Sequence, residues 1–147
     1  MREHLFRGKR FECIWPDDKP WVEGSLIDSG NHEQVMIFPP LDRASSLSVR
    51  DLVRVYAVPV DFETVGEWTG FLDHHGKKIF EGDIVFFKNE DGELSRYEIL
   101  WQNAMWVTRY VEDPLCDLHD GLDSFFAENC EVCGNIHDNP ELSEGAV

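Results

Sequence analysis

Cys130 and Cys133 form a C-x-x-C pair, a spacing at which two thiolates can share a tetrahedral zinc ion. Cys116, His119 or His137 could complete the ligand set, and a metal-dependent enzyme built on these residues is one reading of the chain. A second C-x-x-C or H-x-H pair is missing, so the plainer reading makes Cys133 a small apolar residue in a strand. A redox disulfide fits less well still, because the pair does not open a helix in a βαβ setting. Four cysteines read as free thiols suit a reducing cytoplasm.

Asp73-His74-His75-Gly76 could be imagined in a hydrolytic site, but no Gly-flanked Ser or Cys nucleophile accompanies it. The four residues read as a solvated turn. Asp117, Asp120 and Asp123 invite a calcium reading. With Gly121 as the sixth residue of the loop, ligand positions would fall on Cys116 and Leu118, so the spacing fails. The same three acids could instead imitate DNA phosphates and occupy the basic groove of a DNA-binding protein. No catalytic residue, resident metal or cofactor is therefore expected, and Asp117, Asp120 and Asp123 are the candidate partner-binding residues.

The segments that must position these residues read mainly as short strands. Trp21 to Ile27, Gln34 to Phe38 and Leu52 to Val58 are rich in β-branched or aromatic residues. Leu41 to Arg50 reads as a loop with at most one helical turn. From Thr64 onward, strands are expected at Trp68 to Leu72, Lys78 to Phe80, Ile84 to Phe87, Ser95 to Trp101, Met105 to Val111 and Glu131 to Ile136. The turns between them carry Gly76, Gly82 and the hairpin pair Asp91-Gly92. Asp123 can cap a helix over Ser124 to Asn129. The pattern predicts a mainly β fold, a coiled antiparallel barrel or sheet with one or two short capping helices. Residues 1–138 are expected to form one domain, in which the part up to about Val58 could be a subdomain. Residues 139–147 read as a loosely held tail.

Three separated motifs carry a family resemblance. REHLFR at Arg2 to Arg7, VGEWTGFLDHHGKKIFEGDIV at Val65 to Val85 and CEVCGNIHDNPEL at Cys130 to Leu142 resemble the YopX family of small phage and prophage proteins. The resemblance implies a mainly β fold, a coiled antiparallel barrel with a helical cap, and no established activity, cofactor or catalytic residue. Cys133 stands where that family usually has an aliphatic residue. Gly66, Gly70, Gly76, Gly82 and Gly134 read as turn or close-approach positions, and Asp83 as bonded within its own turn.

Charge narrows the function classes. Thirteen Lys and Arg face 29 Asp and Glu in 147 residues, a formal −16, so no net positive field draws nucleic acid or anionic lipid. Ten of the acids follow Arg109, after which no Lys or Arg occurs. No apolar run approaches the roughly 18 to 20 residues that span a bilayer, and Met1 to Phe11 is too polar and basic for a signal peptide. A soluble, cytoplasmic protein is expected. Five tryptophans, Trp15, Trp21, Trp68, Trp101 and Trp106, read as core and subunit-interface residues. The leading expectation is a non-enzymatic, phage-derived accessory domain that binds a protein partner or assembles with itself. The DNA mimic and the metal-dependent enzyme are its alternatives.

Overall fold

The computed structural model describes residues 3–41, 46–113 and 119–144. The described residues are mainly β, with two antiparallel sheets and three short helices among them. It divides into two compact units, Met1–Glu67 and Trp68–Val147.

In the first unit, strands β1 (Phe6–Arg10), β2 (Trp21–Asp28) and β3 (Val35–Phe38) precede helix α1 (Val49–Tyr56) and the long strand β4 (Val58–Leu72). Successive strands pair antiparallel, and β1 also pairs with β4, so the four close on themselves. Val22, Val35, Ile37 and Val60 form the core inside this ring. The closing pair carries a bulge between Arg7 and Lys9. Thr64 repairs the ladder there: its hydroxyl accepts from the Lys9 amide at 2.8 Å and donates to the Asp61 carbonyl at 2.6 Å.

The strand expected over Leu52 to Val58 is overturned, since α1 occupies Val49–Tyr56. β-branched residues favoured a strand, but the Ser48 hydroxyl accepts from the Asp51 amide at 3.2 Å and so caps a helix. Three apolar residues at helical spacing, Val49, Leu52 and Val53, then share one face.

β4 continues into the second unit, where its end pairs with β5 (Lys78–Phe80). The second sheet has the order β10-β6-β7-β8-β9, built from β6 (Asp83–Lys88), β7 (Leu94–Gln102), β8 (Met105–Tyr110), β9 (His119–Gly121) and β10 (Cys130–Asn135). Helix α2 (Ser124–Glu128) precedes β10, and α3 (Pro140–Ser143) follows it. Ile79, Val85, Ile99, Trp106, Leu122, Ala127 and Cys130 form the core, on which α2 lays Phe126 flat against Phe87 with centroids 4.6 Å apart.

The turn signals hold. Gly76 and Gly82 take φ of 78° and 89°, and Gly92 closes the Asn89–Gly92 hairpin turn at φ 82°. Asp83 is fully buried and accepts from the Phe80 amide at 2.8 Å, within its own turn. Gly134 is a close approach, since a Cβ there would lie 2.5 Å from Oδ1 of Asn139. The last strand carries a bulge between Val132 and Gly134, which shifts the register at Cys133. Residues 139–144 are also not a loose tail. Arg96 donates to the Leu142 carbonyl at 3.3 Å, and the Asn139 side chain accepts from the Asn135 amide at 3.3 Å.

Candidate functional site

The turn 73–77 is organised by one carboxylate. Oδ1 of Asp73 accepts from the amides of His75 and Lys77 at 2.8 and 2.9 Å, and Oδ2 accepts from the Val132 amide at 3.0 Å. Burial would push this carboxyl up, but the Val132, Lys77 and His75 amides outweigh it and hold it below its ordinary 3.8. The His74 amide donates to the Cys130 carbonyl at 2.9 Å, so the turn docks on the start of β10.

The two histidines project from that turn. Nδ1 of His74 lies 3.3 Å from the Glu128 carbonyl, and Nε2 of His75 lies 3.5 Å from the Glu131 carboxylate. With Phe86, Lys88, Asn129 and Cys130 they line an open cavity of about 390 Å³. This cavity holds no usable thiol nucleophile. Cys130 is buried, donates to the Ala127 carbonyl at 3.3 Å, and is pushed up to about 12 by burial and by the nearby Asp73 and Asp83 charges. A thiol so held stays protonated at neutral pH.

The other candidates lie apart. Cys133 is half-buried, donates to the Ile84 carbonyl at 3.2 Å, and is also shifted upward by burial. His119 sits in β9 opposite Arg109, and His137 follows β10 with its amide donating to the Asn135 side chain. Among the described residues no three His, Cys, Asp or Glu side chains form a metal-binding group. Cys116 and Asp117 lie outside the described residues. Asp120 is exposed on β9, while Asp123 caps α2, its carboxylate accepting from the Phe126 amide at 2.8 Å.

The first unit carries a feature that sequence reasoning missed. The loop between β1 and β2 exposes Phe11 (68%), Ile14 (74%) and Trp15 (71%), so Trp15 is not a core residue. Its backbone is nevertheless ordered. Oδ2 of Asp18 accepts from the amides of Ile14 and Trp15, both at 2.9 Å, and the Asp18 amide donates to the Trp15 carbonyl at 3.0 Å. Phe11, Ile14 and Trp15 line a groove of about 320 Å³ with Val58 and Pro59. The available signal was Trp15-Pro16-Asp17-Asp18, a turn-forming run that cannot bury a strand face.

Comparison with known proteins places this architecture. A family model described as YopX protein matches residues 14–144. The crystal structure of protein EF1440 from Enterococcus faecalis is similar at a TM-score of 0.55 and 21% identity, covering 98% of this chain and 100% of that one. At that identity the likeness concerns the fold alone. No curated protein matches the chain.

Proposed function

The chain belongs to the YopX family, and from that premise we propose that it is a non-enzymatic, phage- or prophage-derived accessory domain that binds another protein in the bacterial cytoplasm. The observation that carries this reading is the loop 11–18, where large apolar side chains face solvent from a backbone already held by hydrogen bonds. Preordered aromatic anchors lose little freedom on docking, so more of their burial is left as affinity. The partner that fits has an apolar cleft rimmed by Lys and Arg. Glu12, Asp17 and Asp18 are balanced locally by Lys9, Arg10 and Lys19, so such a rim would be steered by the formal −16 of the whole chain.

The acidic mimic remains a second reading, supported by one observation. Trp68–Val147 holds five Lys and Arg against seventeen Asp and Glu, a formal −12 of the total −16. Asp123 serves that surface less well than the other acids, because its carboxylate is engaged at the α2 cap.

The test compares immobilised wild-type protein with an Ile14→Ser/Trp15→Ser variant of unchanged far-UV circular dichroism. A captured protein is identified, purified and titrated against both. Affinity at least tenfold weaker for the variant is expected from the loss of two anchors. Equal affinity overturns the loop reading. A partner released by salt and lost on neutralising Asp120 with its neighbouring acids of 68–147 makes mimicry the better account.

A further inference from the structure

We propose that the cavity beside the turn 73–77 binds a small zwitterion, an α-amino acid with an apolar side chain, held between Lys88 and Glu131. The site lies wholly within the second unit, and the inference does not depend on the anchor loop or on the protein-binding reading.

Strand register places the two charges. β10 pairs antiparallel with β6, with Glu131 opposite Phe86, and Lys88 stands two residues further along β6. Val85 and Phe87 face the core, so Phe86, Lys88 and Glu131 share the outer face of the sheet. Diagonal neighbours of this kind lie roughly 7 to 8 Å apart, within reach of long side chains. Yet the two do not pair. The Glu131 carboxylate lies instead 3.5 Å from Nε2 of His75. Lys88 has no ion-pair partner among the described residues, although its unit carries seventeen acids against five cations. Arg96 and Arg109 of the same unit, by contrast, lie 3.6 and 3.1 Å from Glu112 and Glu98.

Lys88 and Glu131 both line the open cavity of about 390 Å³, and Phe86 and Leu94 give it an apolar wall. Asn89 adds a donor beside Lys88. Its side-chain oxygen accepts from the Glu93 amide at 2.8 Å, which leaves its NH2 group for a ligand. The lining therefore offers a cation and a donor on one side, a carboxylate on the other and apolar surface with them. A matching ligand carries a carboxylate for Lys88 and Asn89, an ammonium for Glu131 and an apolar group for Phe86 and Leu94. An α-amino acid joins those three groups at one carbon. A simple anion would meet the like charge of Glu131, and a simple amine that of Lys88. With about twelve non-hydrogen atoms in an open site, such a ligand should bind in the roughly millimolar range.

The experiment titrates the full chain with L-phenylalanine and follows backbone amide shifts by NMR. Hydrocinnamate, which lacks the ammonium, and phenethylamine, which lacks the carboxylate, are the single-charge probes. Saturable binding of L-phenylalanine is expected, with shifts centred on β6 and the start of β10, and each single-charge probe should bind about fivefold more weakly. Lys88→Gln and Glu131→Gln alter exposed side chains, and each should weaken L-phenylalanine about fivefold. Lys88→Gln should also weaken hydrocinnamate but not phenethylamine, and Glu131→Gln the reverse. Damage to the fold would weaken all three ligands together, so this crossed pattern reads recognition itself. Absence of saturable binding by both L-phenylalanine and L-leucine overturns the proposal. Single-charge probes that bind as tightly as L-phenylalanine, or variants that bind it like wild type, overturn it equally. Capture of a protein through residues 11–18 is measured separately, so either reading can fail alone.

Discussion

The Asp73 carboxylate accepts the Val132 amide at 3.0 Å across 59 residues of chain. It thereby fastens the turn at 73–77 to the closing strand β10, two of the segments on which the family resemblance rests. Neither segment needs this contact for its own secondary structure. It belongs to the tertiary fold of the second unit.

Replacing that carboxylate should be costly. Asp73→Asn keeps the shape but turns one acceptor into a donor that faces a backbone N–H. A loss of about 1.5 to 3 kcal/mol is expected, the range for a broken hydrogen bond to a charged group. The Asp73 carboxyl is held below 3.8, so its stabilisation is present above that pH and fades as pH falls through the lowered value. Urea titrations at neutral pH and below pH 3.8 should show the gap between wild type and variant closing in acid.

Cys130 sets the opposite limit. Its thiol is pushed from 9.0 up to about 12, so its contribution is complete below 9 and is lost as pH rises toward 12. Melting temperature should fall through that window, and Cys130→Ala should flatten the alkaline part of the fall. With a thiol reagent at neutral pH, the exposed Cys13 should react at once, while Cys130 and Cys133 wait for unfolding.

The β7–β8 turn is strained at two positions. Asn103 and Ala104 have φ of 53° and 61°, a two-residue hairpin loop in which the second residue is best as Gly. Ala104→Gly should stabilise the protein by about 1 kcal/mol, the penalty of a left-handed conformation for a residue with a Cβ. Chemical denaturation measures it directly.

Asp123 can be separated from partner binding. Asp123→Ala removes the cap of α2 and should cost about 1 kcal/mol. Asp123→Ser, which keeps a capping oxygen without the charge, should recover most of that loss. If the charge also serves a basic partner, the Ser variant should still bind it more weakly than wild type.

By itself the sequence determined the local features. The Gly76, Gly82 and Gly92 turns, the Asp123 cap and most strands of the second unit were legible, because each rests on a residue type acting within a few positions of itself. Charge asymmetry was legible for the same reason, since it needs only counting. At α1 two local signals competed, and the Ser48 cap with helical spacing prevailed over β-branched composition.

Tertiary structure alone decided which residues meet. Nothing near Asp73 in the chain announces Val132, and nothing near Cys133 announces the bulge that sets its register. The closure of β1 onto β4 and the cavity beside His74 and His75 likewise come from residues far apart in sequence. Exposure follows the same rule. Trp15 and Trp106 look alike as letters, but one stands in solvent on a turn tied by Asp18 and the other lies in the second core. Burial is a property of what packs around a side chain, and that is fixed only when distant segments come together.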